Sequence, residues 1–241
     1  MFSISLCKVK IEIDNRFTYV EKLCRDYIVS DSQTPAFRVA VTLREVEDYV
    51  AHVGRPMAQD EAESYLIYRK ICGQMPAYNA YLLHAAVVSI DGKGYAFSAS
   101  RGQGKTTHTA LWEELFAGQG VFVVNGDKPL IKLEDNGQIT AWGTPWCGKE
   151  GKQVNTSVPL CGICFLEKGK INQIYAASVA DGVARMLQST ILPPTSGLQD
   201  AMAYLVGTTL KHTPAYLLSC RPDKEAAMLS YRTLTKSSTV F

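Results

Sequence analysis

Residues 97–112, FSASRGQGKTTHTALW, join an apolar strand-like stretch to a glycine-rich loop and a Gly-Lys-Thr triplet that opens an amphipathic helix. That order suits a phosphate cradle. Backbone N–H groups from Arg101 to Thr106 can converge on a β-phosphate, at the positive end of the helix dipole. Glycines at 102 and 104 let the main chain approach the anion closely. The nucleotide-binding set expected from this stretch is Ser100, Arg101, Gly102, Gln103, Gly104, Lys105, Thr106 and Thr107. Lys105 would bridge β- and γ-phosphates, and the Thr106 hydroxyl would take a place on Mg²⁺. Ala99 stands where the G-x-x-x-x-G-K-[ST] pattern has its first glycine. Its place is at the strand end, away from the phosphates, so the mechanism survives the substitution.

A phosphate site holding Mg²⁺ needs a carboxylate at a neighbouring strand end. VFVVNGD, residues 121–127, offers Asp127 just after an apolar run. His84 opens the strand LHAAVVSI, which a DGKG turn connects to YAFSAS as a hairpin. With the turn centred between Gly92 and Lys93, His84 falls opposite Arg101 within two residues, beside the cradle, where a base or a γ-phosphate contact is useful. The expected catalytic residues are therefore His84, Lys105 and Asp127, with metal ligands Thr106 and Asp127. The loop GTPWCGKEGKQVN suits a substrate clamp or lid, with Lys149, Glu150 and Asn155 as its chemically useful members. His108, one turn beyond Lys105, reads as facing either the nucleotide or solvent. Cys161 and Cys164 form a C-x-x-C without a second pair for zinc and read as buried thiols. Arg221 reads as a surface charge.

The elements that must carry these residues alternate between strand and helix. Residues 1–58 form a small α+β module with strand-like ISLCKVKIEI and FRVAVTL. Residues 59–241 form the cradle-bearing domain, introduced by a helix in DEAESYLIYRKICGQM. Strands are expected in VFVVN, PLIKL, ITAW, SVPLCGICFLEKG and PAYLLSC. Helices are expected over 105–117, on either side of LPPTSG, and at the C-terminus. In 241 residues, 25 Lys and Arg face 23 Asp and Glu, with no dense basic run, so nucleic-acid binding is not favoured. No apolar run reaches the roughly 18 residues of a membrane span. The N-terminus carries no signal-peptide pattern, and seven irregularly spaced cysteines fit reduced thiols, so a cytoplasmic protein is expected. A homo-oligomer is compatible with all of this.

His84 before the hairpin strand, the loop SASRGQGKTTHTALW and the turn VVNGDKPLI, in that order, resemble the HPr kinase/phosphorylase family, whose core fold is shared with phosphoenolpyruvate carboxykinase. WGTPWCGKEG, SVPLCGICFLEKG and PAYLLSCRPDKEA look like a subgroup of small HPr-kinase-like proteins, and the likeness spans about residues 60–230. It implies an α/β fold: a P-loop core with a mixed sheet, plus the small N-terminal α+β module. It also implies ATP and Mg²⁺ as cofactors and phosphoryl transfer to a hydroxyl-bearing substrate, either Ser/Thr of a peptide or protein or a small molecule. One departure stands out. The family shows two successive aspartates where this chain has Gly126 and Asp127. Either Asp127 serves only the metal and His84 is the base, or the chain binds nucleotide and turns over poorly. Carboxykinase chemistry on an oxo-acid is the other alternative, although no Arg/Lys set evidently grips a dicarboxylate.

Overall fold

The computed structural model describes residues 1–100 and 102–237. The chain opens with β1 (Phe2–Leu6) and β2 (Val9–Asp14), an antiparallel hairpin whose turn residues Cys7 and Lys8 both have positive φ. The apolar-polar run expected as one strand is thus folded back on itself, because the alternation continues in register on both arms. After α1 (Thr18–Leu23), β3 (Phe37–Ala40) adds in parallel to β2, and α2 (Leu43–His52) follows. FRVAVTL therefore ends early. Thr42 and Glu45 close a capping box that starts α2, an element the strand-rich reading of this third does not include.

Helix α3 (Gln59–Gln74) packs Ile67, Tyr68 and Ile71 into the core of this small sheet. That core runs on into Leu130 and Trp146 and into Leu82 of β4 (Ala80–Leu82).

The second sheet is mixed and, among the described residues, has nine strands. Its centre is the hairpin of β5 (Ala85–Ile90) and β6 (Lys93–Ser98), with β7 (Phe122–Asn125) antiparallel on the far side of β5. β8 (Leu130–Leu133), β9 (Ile139–Trp142) and the long β10 (Ser157–Lys168) continue it from β4. β10 lies parallel to β6 and to β12 (Ala215–Cys220), which carries β11 (Gln173–Ala176) at the edge. β5 thus lies between β6 and β7, antiparallel to both. Its first residue and their last residues meet at one end of the sheet.

Four helices cover the faces: α4 (Lys105–Leu115), α5 (Val179–Gln188), α6 (Ser196–His212) and α7 (Lys224–Ser237). Trp112 of α4 is fully buried against Tyr95, Phe97, Phe116 and Tyr231. An aromatic anchor of that size is worth about 3–5 kcal/mol on truncation, which fixes α4 against the sheet. Among the described residues no helix is long and apolar enough to cross a membrane. All seven cysteines are free thiols, with Cys164 buried and Cys161 half-buried in β10.

Candidate active site

The β5–β6 turn is made by Asp91 and Gly92, both at positive φ, the geometry a two-residue hairpin requires. It sits one residue earlier than the sequence pattern places it. Ala85 pairs with Ser98, so His84 falls opposite Ala99, two residues from Arg101 and within the expected range. This register keeps His84 at the mouth of the loop. Its backbone is fastened there: His84 N–H donates to Ser189 O at 2.6 Å, and Ser98 Oγ donates to His84 O at 3.0 Å while lying 3.1 Å from Ser189 Oγ.

From that position His84 Nε2 lies 3.0 Å from Lys105 Nζ and 3.0 Å from Asp127 Oδ1. The three expected catalytic residues therefore touch. Lys105, the first residue of α4, also donates to the carbonyl of Ala99 at 3.0 Å, so the residue that breaks the glycine pattern contributes through its main chain. One ring nitrogen cannot both donate to a carboxylate and accept from an ammonium. With a proton on Nε2, His84 bonds Asp127; without it, His84 bonds Lys105. Drawing Lys105 onto an anion would free Nε2 to hold a proton against Asp127.

Burial lowers the Lys105 pKa, Lys128 lowers it further, and Asp127 opposes both. Burial pushes the Asp127 pKa up, but the hydrogen bond from His84 and the charge and hydrogen bond of Lys128 outweigh it, holding the carboxyl below the usual carboxylate range. Lys128 Nζ sits 2.9 Å from Asp127 Oδ2. The sequence does not point to this lysine, since neighbouring residues on a strand face opposite ways. The chain is not a strand there. Buried Asn125 turns it: Asn125 Oδ1 accepts from the N–H groups of Asp127 (2.9 Å) and Lys128 (2.7 Å), and its Nδ2 donates to Thr144 O at 2.9 Å. Tyr68 of α3 then bonds Lys128 O at 2.7 Å.

Gly126, where a second acid is expected, has no room for one. A Cβ there would lie 2.8 Å from Cys147 O and 3.5 Å from Lys152 O. Its N–H donates to Lys152 O at 3.0 Å. The loop 143–156 fills that space because it is pinned: Val154 N–H donates to Val124 O, Trp146 stacks on Tyr68 at 4.1 Å, and Lys152 pairs with Glu113 of α4. Its tip, residues 148–152, is exposed, and so are Val154 and Asn155 where the loop returns. Within the tip a Cβ on Gly148 would stand 3.6 Å from Asp127 Cγ and 3.5 Å from Glu150 Oε2, so Glu150 reaches the acid's surroundings. Burial raises the Cys147 thiol pKa, and both Asp127 and Glu150 add to the rise. Lys149 is exposed beside it. Asn155 is engaged elsewhere, its Nδ2 donating to Asp26 O at 2.7 Å on the small-sheet side.

The cradle itself is open. At Gly102 (φ 78°) and Gly104 (φ 105°) a Cβ would meet nothing within 4 Å, and Gln103 N–H closes a turn onto Ser100 O at 3.1 Å. Thr106 and Thr107 are exposed at the start of α4. Arg101 lies outside the described residues. His108 faces neither nucleotide nor solvent. It is buried between Phe97 and Ser230, whose Oγ is 2.9 Å from Nε2, and burial lowers its pKa to about 4. Arg221 pairs with Asp223 and Glu225 on the surface. Among the described residues no group of three or more His, Cys, Asp or Glu side chains gathers for a metal. The donor set of one ionised carboxylate and one hydroxyl instead suits Mg²⁺, which keeps waters and takes phosphate oxygens beside one or two carboxylates.

A family model described as "SynChlorMet cassette protein ScmC" matches residues 61–196. No curated protein matches the chain. Among solved structures, the HPr(Ser) kinase/phosphatase from Coxiella burnetii is similar at 16% sequence identity and a TM-score of 0.38, covering 64% of this chain and 88% of that one.

Proposed function

The chain belongs to the ScmC family of SynChlorMet cassette proteins, and we propose that it is an ATP- and Mg²⁺-dependent phosphotransferase acting on a hydroxyl. The observation that carries this reading is the contact of Lys105, His84 and Asp127 at the mouth of a glycine loop that opens a helix. Ser100, Gly102, Gln103, Gly104, Lys105, Thr106 and Thr107 hold the nucleotide phosphates, and Arg101 completes the run in sequence. Thr106 and Asp127 would hold Mg²⁺, whose charge would offset that of the phosphate oxygens. Lys105 leaves His84 for the γ-phosphate. The freed Nε2 takes the proton of the acceptor hydroxyl as its oxygen bonds the γ-phosphorus and the bond to the β-phosphate oxygen breaks, releasing ADP. The new Nε2–H is then held by Asp127 Oδ1. His84 is the base in this scheme because Gly126 is closed to a second carboxylate.

Calorimetry with ATP in the presence of Mg²⁺ or EDTA, and transfer from γ-labelled ATP to serine- and threonine-containing peptides, test the reading. Metal-dependent binding with label in a peptide supports it. Binding without transfer to any acceptor makes the chain a nucleotide-binding module. ATP-independent behaviour, or oxaloacetate decarboxylation, overturns it.

A further inference from the structure

β3 is the last strand of the small sheet: β2 lies on one side of it and no strand of the described residues on the other. In a parallel pair alternate residues turn their N–H and C=O groups away from the partner, so β3 presents main-chain donors and acceptors at this edge, with the carbonyl of Ala40 already taken by Lys70 Nζ at 2.9 Å. The edge opens onto a groove of about 770 Å³. One wall is α3, with Leu66, Arg69 and Gly73, and the other is the segment of Ile191, Leu192 and Pro194. Leu192 is 69% exposed there. The groove also contains Arg38, Arg69 and Lys70 against a single carboxylate, Glu45, which is bound to Lys70 at 2.6 Å. Arg38 is shared with Asp14 and Glu12, and among the described residues Arg69 has no carboxylate at ion-pair distance.

Both walls reach the catalytic residues. The Ile191 segment begins just after Ser189, whose carbonyl takes the N–H of His84. α3 turns Arg69 and Lys70 to the groove while its Tyr68 bonds the carbonyl of Lys128, next to Asp127. An occupant of the groove would therefore press on the two elements that hold the His84 and Lys128 backbones.

We propose that this groove binds an extended acidic segment of a peptide substrate, added as a strand beside β3. Main-chain hydrogen bonds to the edge supply affinity. Alternate side chains enter the apolar wall of Leu66, Ile191 and Leu192, and a carboxylate meets Arg69, the mode expected of strand addition. The proposal deepens the phosphotransferase reading by giving the acceptor a class, a peptide held at a distance from its phosphorylated hydroxyl. The groove is chosen over the exposed faces elsewhere because it joins an open edge to an uncompensated cation.

The test uses the full chain without nucleotide, so it does not depend on the cradle. Two pools of ten-residue peptides are passed over it, one alternating Val, Ile, Leu or Phe with Asp or Glu, the other with Lys or Arg at the charged positions. The expected result is retention of the acidic pool, slowed hydrogen exchange at amides 37–40 when it is bound, and at least tenfold weaker binding by Arg69→Glu and by the milder Arg69→Gln to a lesser degree. A proline inserted in the middle of a retained peptide should abolish binding. Equal retention of both pools, retention of neither, or exchange protection elsewhere overturns the proposal. So does protection of amides 37–40 that grows with protein concentration alone, which would mark a second copy of the chain on the edge. Peptide binding without ATP use would sink the phosphotransferase reading and leave the groove standing; ATP use with no peptide retention does the reverse.

Discussion

The two turns that meet at His84 are built in opposite ways. The turn after β6 is open: a Cβ on Gly102 or Gly104 would meet nothing within 4 Å, Thr106 and Thr107 are exposed, and Lys105 is anchored on Ala99 O while Gln103 Oε1 accepts from the N–H of Lys168 at 3.4 Å. The turn after β7 is closed: Asn125 spans it, Tyr68 and Thr144 hold its far end, and loop carbonyls crowd Gly126. The difference matches the tasks proposed for them. A main chain that must wrap an anion keeps its N–H groups free. A carboxylate that must stay ionised while mostly buried needs its partners fixed beforehand.

Removing Lys105 from the open turn should have the largest effect. In the proposed scheme Lys105→Ala takes away a charge aimed at the transferring phosphoryl group, a type of loss that costs about 10²–10³ in turnover. Circular dichroism should show an unchanged fold, since the lysine is not packed in the core. A folded variant with wild-type ATP affinity and turnover would show that the open turn is only a turn.

Acid should separate the two turns. His108 anchors α4 behind the open turn, and burial lowers its pKa from 6.5 to about 4. The unfolded chain then binds the extra proton, so stability falls as pH drops from about 6.5 to 4, by on the order of 3 kcal/mol in all. Asp127 has the depressed pKa of a carboxylate held by cations. Its contribution is intact above the unfolded value of 3.8 and is lost only as pH falls below it, through the folded value. Denaturant melts between pH 7 and 4.5 should therefore register the helix anchor and not the acid. His108→Gln should flatten that slope.

The open turn is legible in sequence because its parts are local: strand end, glycines and lysine lie within ten residues. The closed turn is legible only as an acid after a strand. Its shaping groups come from far along the chain, as Thr144 to Asn125 and Tyr68 to Lys128 show. In sequence Gly126 looks like a missing acid, whereas the structure makes it a packing requirement that only the returning loop reveals. His108 escapes local spacing for the same reason, since α7, which covers it, lies more than a hundred residues away. β3 and α2 blur into one short apolar run, in which the capping box marks the change.

Gly126→Asp probes the closed turn directly. Adding a side chain against fixed backbone oxygens is overpacking, typically worth about 1–3 kcal/mol, and a second carboxylate beside Asp127 adds like-charge repulsion. The variant should melt several degrees lower and gain no phosphoryl transfer. Gly126→Ala should show most of the same loss, which separates space from charge. Gly102→Ala in the open turn meets no neighbour and bears only the strain of its positive φ, about 1–2 kcal/mol. Its ATP affinity should fall more than its stability explains. Faster transfer in Gly126→Asp would mean that the loop yields and that the base is not His84.

The smallest effect tests how the closed turn stays closed. Lys152 ties the returning loop to Glu113 on α4, the helix of the open turn, and both side chains are partly exposed. Exposed pairs are worth about 0–1 kcal/mol, so Lys152→Ala should move the melting temperature by little. The carbonyl of Lys152 still takes the Gly126 N–H, and Val154 still bonds Val124, so the loop base should hold. What the substitution frees is the tip, residues 148–152, that carries Glu150 and passes over Asp127. Hydrogen exchange should quicken at those amides and remain slow at 124–128. If the amides of the Asn125 turn quicken as well, the clamp on Gly126 depends on this one surface pair, and the two turns are coupled through α4 and not built independently.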